Sequence, residues 1–268
     1  MRGLAGLLLL CHTAWALAQS GETPTNPFPE VASAYRVEIN GTAVWEQQPG
    51  RRLPPASLTK LMTALLVVEQ DKLQDITTIS NTAAQESGSR IGIRTGETYR
   101  VADLLAAALV ASANDACHAL ADAVAGSETR FVQQMNQRAQ QLGMRNTHFS
   151  NACGHDAPNH YSTADDLALL AHETIKHPEI TRIAARQDAQ ITTADGERSF
   201  SFDSKNALIG RYPGALGLKS GYTPNAGKCL IAYAERGVNK VLLVMLHGND
   251  RWWDAVDILD IAFDHARR

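Results

Sequence analysis

Three short segments, Ser57-Leu58-Thr59-Lys60, Ser112-Ala113-Asn114 and Lys219-Ser220-Gly221, stand in that order along the chain and constrain it more than any other feature. In the first, a hydroxyl and an amine three residues apart share one face of a helix, about one turn apart. Serine is a weak nucleophile at its own pKa and needs a base beside it. Lysine serves as that base only where burial or nearby cations keep it neutral. Each segment alone also describes something ordinary: a solvated lysine on an amphipathic helix, a helix cap, a strand lysine beside a turn. Together and in order they describe a serine acyl-transfer site.

The local contexts agree. Pro54-Pro55 leads into a helix start. Leu58, Leu61, Met62, Leu65 and Leu66 then follow the spacing of a helix packed into a core. Ser57 is thus expected in the first turn, where unpaired backbone N–H groups favour developing negative charge. The run from Val101 to Ala111 is apolar nearly all round and reads as a buried helix. Ser112 and Asn114 at its end need hydrogen-bond partners. Ser112 is expected to relay a proton beside Lys60, and Asn114 to hold a substrate amide. Ala215 to Tyr222 lies between two turn signals and reads as an edge strand. There Gly221 lets a substrate backbone come close, Lys219 offers charge to a carboxylate, and Ser220 adds a hydroxyl donor.

Met1-Arg2-Gly3, an apolar stretch to Leu17 and the small residues around Ala18 describe a secretory signal over residues 1–18. Residues 19–32, with Pro24, Pro27 and Pro29, read as a flexible lead, and 33–268 as one catalytic domain. No later run reaches spanning length and no basic amphipathic anchor ends the chain, so a soluble exported protein without a stable membrane anchor is expected. A formal net charge of −3 gives no reason to invoke nucleic acid or an anionic membrane. Cys117, Cys153 and Cys229 follow the signal, an odd number with no zinc or framework spacing. Cys117 and Cys229 read as buried small hydrophobes, and a bridge between two of the three stays open without a choice of pair.

Strands over Ala34 to Asn40 and Ala43 to Gln47 meet at Asn40-Gly41, a tight-turn signal. The pattern from about 80 to 190 is largely helical. Gly143 stops one helix and Thr163-x-x-Asp166 opens another as a capping box. Lys228 to Glu235 and Lys240 to Leu246 read as a hairpin of buried strands, followed by a last helix with Val256, Leu259, Ala262 and Phe263 on one face. Strands from both ends of the chain around a helical insert predict an α+β fold. Its antiparallel sheet packs with helices opposite a helical lobe, and the site lies at their interface.

On these residues the chain resembles the D-alanyl-D-alanine carboxypeptidase family of low-molecular-mass penicillin-binding proteins, the serine-type DD-peptidases. The resemblance runs from about Ser33 to about Phe263. It includes Ala56-Ser57-Leu58-Thr59-Lys60-Leu61-Met62-Thr63, Ser112-Ala113-Asn114-Asp115-Ala116, Leu142-Gly143-Met144-Arg145-Asn146-Thr147-His148-Phe149 and Gly217-Leu218-Lys219-Ser220-Gly221-Tyr222-Thr223. It implies the penicillin-binding-protein and serine β-lactamase-like fold, with peptidoglycan stem peptides as substrates, β-lactams as covalent inhibitors, and no cofactor or metal. It further implies that Ser57 attacks the penultimate D-Ala carbonyl, Lys60 takes its proton, and Ser112 relays a proton to the leaving amine. Asn114 and Lys219 would hold the substrate, and the backbone N–H groups of Ser57 and Tyr222 would form the oxyanion hole. Two residues depart from the family pattern. Ser220 stands where threonine is commoner, and His155 stands where Asn-x-x-Gly is usually followed by leucine. His155 reads as a solvated loop residue.

Rival readings fare worse. His172 and His177 are five apart, and a metalloprotease helix needs its histidines four apart. No Glu-x-x-Leu-Asn box for lactam hydrolysis lies between Asn114 and Lys219. A silent sensor on the same fold would be expected to lose Ser57 or Lys60. Within the family, trimming of a terminal D-alanine is favoured, with cutting of D-alanyl cross-links as the alternative.

Overall fold

Asn40 and Gly41 both take positive φ, 52° and 82°, the geometry of a two-residue turn matched to strand twist. They join β1 (Ala32–Ile39) to β2 (Thr42–Gln47), which pair antiparallel. This computed structural model describes residues 26–267, so the expected signal over 1–18 lies outside the described residues. After β2 come α1 (Lys60–Glu69), β3 (Ile76–Thr78), α2 (Asn81–Ala84), β4 (Thr98–Arg100), α3 (Val101–Val110), α4 (Asn114–Ala125) and α5 (Glu128–Gln141). Then follow α6 (Ala164–Ile175), α7 (Pro178–Ala184), β5 (Asp188–Thr192), β6 (Ser199–Asp203), β7 (Ala215–Thr223), β8 (Gly227–Arg236), β9 (Asn239–Gly248) and α8 (Arg251–Ala266).

The main sheet has the order β2-β1-β9-β8-β7, every pair antiparallel. Strands from both ends of the chain therefore sit side by side, and the helices between them form the expected lobe. The apolar run Val241 to Leu246 shows how the sheet is covered. Leu242, Val244 and Leu246 enter the larger core with Leu61, Leu104, Leu120 and Phe149. Val241, Leu243 and Met245 enter a second core under α8 with Ile258, Leu259 and Phe263. A strand buried on both faces reads as continuous rather than alternating hydrophobicity. β7 closes one end of the sheet, as expected of the strand carrying Lys219.

Several local expectations are revised. Residues Ala56–Thr59 form a 3₁₀ turn, and regular α-helix begins at Lys60 instead of Ser57. Pro54-Pro55 supplies no N–H to an earlier turn, and Ala56 itself sits at φ +48°. The hairpin β5–β6 was not foreseen; it lies at the end of the stretch read as helical, with Ala189 and Ile191 alternating inward. The capping box at α6 is half formed. Thr163 Oγ1 accepts from the Asp166 N–H at 3.1 Å. The Asp166 carboxylate instead accepts from the Asn146 N–H and the Thr147 hydroxyl, both at 2.7 Å. Aspartate is a methylene shorter than the glutamate such boxes use.

Cys117 of α4 is bonded to Cys153, closing a loop of 36 residues, while Cys229 is free and buried. Cys117 is therefore buried, as expected, but as half of a bridge. Such a cross-link removes conformational freedom from the unfolded chain and typically contributes about 2–4 kcal/mol. Replacing both Cys117 and Cys153 by alanine is expected to lower unfolding free energy by about that amount, read from the urea midpoint.

Candidate active site

The three segments meet in a cleft of about 360 Å³ lined by Ser57, Ser112, Asn114, Ser220, Gly221 and Tyr222, together with Gly154, His155 and others. Lys60, on the first turn of α1, is 1 % exposed. Its Nζ lies 2.7 Å from the Asn114 side-chain oxygen, 2.7 Å from the Cys153 carbonyl and 3.1 Å from Ser57 Oγ. A neutral amine has two N–H groups and one lone pair. Two carbonyls take the donors, which leaves the lone pair for the Ser57 proton. Burial pushes Lys60 down to about 7, against the opposing pull of Glu86 and Asp115. A base poised near neutrality is what proton abstraction from a serine needs.

Two of the expected roles look different in place. Asn114 was expected to hold a substrate amide, but both ends of its side chain are engaged. Its oxygen accepts from Lys60, and its Nδ2 donates to the Ser87 carbonyl at 2.6 Å. It acts on the base rather than facing an open partner. Ser112 was expected beside Lys60, yet its Oγ accepts from Lys219 Nζ at 2.9 Å. Nor does Ser112 cap α4: the cap position is Ala113, with no side-chain bond. Ser112 holds φ +58°, a left-handed conformation that costs a serine about 1–3 kcal/mol and persists only where neighbours enforce it. The Ala113 N–H to Ala107 carbonyl bond and the Asn114 N–H to Ser89 carbonyl bond do so, at 3.1 and 2.7 Å.

Lys219 is also 1 % exposed and donates to Ser112 Oγ and to the Ser220 carbonyl at 2.8 Å. Burial first, then Lys60 and Arg251, hold it well below the usual lysine range. No carboxylate pairs with it among the described residues. Ser220 Oγ donates to the Lys205 carbonyl at 3.2 Å. A Cβ on Gly221 would come within 2.8 Å of the Ser57 nitrogen, so only glycine lets β7 lie this close to the nucleophile. Tyr222 is 64 % exposed at the rim.

Sequence reading missed three contributors. Arg251, at the start of α8, donates to the Gly221 and Cys229 carbonyls, tying the far helix to the catalytic strand. Asp115 is fully buried and accepts from the N–H groups of Ile91, Gly92 and Ile93. Glu86 bonds His155 Nε2 at 2.9 Å, so His155 is a paired, half-buried wall of the cleft and not the solvated loop residue expected. Asp115 had a signal in its place beside Asn114; the other two had none. A larger cavity, about 600 Å³ among Tyr212, Arg236, Trp252 and Trp253, contains no nucleophile or buried base. Glu69, Glu173 and His177 bring ligand atoms within 4.8 Å of one another, but Arg138 already bonds both carboxylates. That cluster lies at the far end of α1 from Lys60.

If neutral Lys60 is the base, acylation of Ser57 by a covalent probe is expected to slow as pH falls through about 7. Lys60→Arg keeps the charge but cannot release its proton, and is expected to acylate about 10²–10⁴-fold more slowly at pH 8. Rates from stopped or quenched labelling across pH 5–9 check both, with those bounds set by the titration range of an amine so perturbed.

Comparison with known proteins shows the family. The family model described as D-alanyl-D-alanine carboxypeptidase matches residues 23–250. D-alanyl-D-alanine carboxypeptidase DacF of Bacillus subtilis (strain 168) is 35 % identical over 97 % of this chain, which covers 69 % of that relative. DacC of Escherichia coli (strain K12) is 34 % identical over 92 % of this chain, which covers 64 % of it. The chain thus spans about two thirds of the length of these relatives. Among solved structures, the Streptomyces K15 DD-transpeptidase superposes with a TM-score of 0.83 at 28 % identity, covering 90 % of this chain and 99 % of that one. Ampicillin-bound penicillin-binding protein D2 of Listeria monocytogenes gives 0.77 at 33 % identity, covering 89 % and 99 %. Matched by that family's model over residues 23–250 and by relatives at 34–35 % identity, the chain belongs to the D-alanyl-D-alanine carboxypeptidase family of serine peptidases.

Proposed function

We propose that the chain is a serine D-Ala-D-Ala carboxypeptidase that acts, after export, on the stem peptides of peptidoglycan. One observation carries this reading: the buried Lys60 amine spends its donors on two carbonyls and faces Ser57 Oγ. Ser57 Oγ bonds to the penultimate D-alanine carbonyl carbon while its proton passes to Lys60. The N–H groups of Ser57 and Tyr222 receive the developing oxyanion, a reading supported by the close approach of Gly221 to the Ser57 nitrogen. The C–N bond then breaks, and the proton held by Lys60 passes to the departing D-alanine amine, while Ser112, bonded to Lys219, lines the cleft beside it. Water attacks the ester carbon as Lys60 takes one of its protons, the bond from that carbon to Ser57 Oγ breaks, and the proton returns from Lys60 to Ser57 Oγ. β-Lactams would acylate the same hydroxyl and leave slowly, since the sequence carries no Glu-x-x-Leu-Asn box between Asn114 and Lys219.

End-trimming is favoured over cross-link cutting by Lys219. A buried lysine without an acidic partner is costly, and a substrate's terminal carboxylate would supply the missing charge. Arg251 adds to the positive field at the same strand.

Ser57→Ala is expected to abolish covalent labelling by a fluorescent penicillin while thermal unfolding stays within a few degrees of the parent. Label persisting on the folded variant would sink the nucleophile. Lys219→Ala is expected to lower kcat/KM about 10- to 100-fold for a D-Ala-D-Ala peptide, the size of one charged hydrogen bond. For the same peptide with its C-terminus amidated, the loss is expected to be much smaller. Equal losses would remove the carboxylate reading and favour a cross-link cutter.

A further inference from the structure

One wall of the cleft holds a cluster of titratable side chains that the acyl-transfer steps do not use. Glu86 stands between two imidazoles, with Oε1 2.7 Å from His118 Nδ1 and Oε2 2.9 Å from His155 Nε2. These three residues come from separate pieces of chain: the segment after α2, helix α4 and the loop 151–156. Asp122 of α4 and Glu128 of α5 lie 3.8 Å from His118 on either side. Among the described residues, the other charged or titratable groups near the cluster and Lys60 include Asp115 of α4, Lys219 of β7, Asp156 and His160.

The position of this bridge matters because of what its two ends carry. Next to Glu86, the Ser87 carbonyl accepts from Asn114 Nδ2, and Asn114 Oδ1 is the first acceptor of Lys60. Two residues before His155, the Cys153 carbonyl is the second acceptor of Lys60. The Asn151 side chain holds that loop by accepting from the N–H groups of Cys153, Gly154 and His155. The Glu86–His155 contact thus closes a ring of bonds around the catalytic amine. It also fixes a carboxylate whose charge is felt at Lys60.

We propose that Glu86, clamped by His118 and His155, is a positioning residue that aligns both carbonyl acceptors of Lys60 and tunes its readiness to act as base. The proposal rests on Lys60 being that base. The carboxylate favours the protonated amine, and each imidazole that bonds it offsets part of its charge. Removing the charge and removing an offsetting ring therefore act on Lys60 in opposite directions. A merely structural role has no reason to produce that opposition.

The test uses the mature chain carrying ¹³C-labelled lysine, with the Lys60 signal assigned by its loss in Lys60→Arg. The Lys60 titration midpoint is read by NMR in the parent, Glu86→Gln and His155→Leu. Glu86→Gln is expected to lower the midpoint by roughly 0.5–1 pH unit, the size of one nearby charge at a high effective dielectric. His155→Leu is expected to raise it by a smaller amount. The acid limb of penicillin acylation should move with each. Above pH 8.5, where the amine is free, Glu86→Gln should still acylate roughly 10-fold more slowly because its acceptors are no longer aligned. Coincident midpoints, or both variants moving the same way, would overturn the proposal. If Glu86→Gln does not fold, His155→Leu alone decides: an unmoved or lowered midpoint overturns it. A parent that titrates as expected but takes no penicillin label would instead overturn the proposed function and leave the tuning of Lys60 standing.

Discussion

The structure depends on how a lysine amine is kept out of water. An ammonium group buried alone would be strongly destabilising, so the group sheds its proton more readily and its N–H bonds must still be satisfied. Here the two acceptors come from opposite sides: Asn114 at the start of α4, and the Cys153 carbonyl in the loop bonded to α4 through Cys117. Asn114 is itself pressed by Gly88, where a Cβ would reach within 3.0 Å of its Nδ2. The helical lobe thus aligns the acceptors of one amine, and the reactivity of Ser57 follows from that alignment.

The sheet makes a different contribution. Both of its faces are covered, one by the lobe and one by α8, so β7 is held by a framework packed from two sides. Arg251 reaches from α8 to the carbonyl of Gly221, which couples the rear helix to the strand beside the nucleophile. Lys219 points its amine at Ser112 and so joins the strand to the end of the α3–α4 connection. The two lobes share the larger apolar core, and these polar contacts join them again at the cleft.

Much of this was legible in the chain. The three segments lay at the right elements, because helix periodicity, a buried apolar run and paired turn signals are local features that survive folding. That strands from both chain ends share one antiparallel sheet followed from the pattern at those ends, though their order did not. What escaped was non-local. Glu86 and His155 are 69 residues apart, and nothing in either neighbourhood announces the other. Cys117 and Cys153 could not be chosen over Cys229, since pairing depends on a distance that spacing does not encode. Asn114 was legible as a site residue but not in its task, because the partner that occupies its amide, the Ser87 carbonyl, is a backbone group in an irregular segment. The β5–β6 hairpin was lost to its short strands, whose alternation is easily absorbed into an adjoining helical stretch.

The two glycines flanking the nucleophile have a wider consequence. A Cβ on Gly154 would lie 2.0 Å from the Ala56 carbonyl oxygen, and one on Gly221 would lie 2.8 Å from the Ser57 nitrogen. The backbone at 56–57 is gripped between two bare α-carbons, and neither has room for even a methyl group. For anyone seeking to re-engineer this catalyst, the grip makes the reacting centre a fixed point that single substitutions at 154 or 221 cannot explore. Diversity has to enter through side chains that surround the fixed point, so a mutational library belongs at the rim and at the charges behind the lysine.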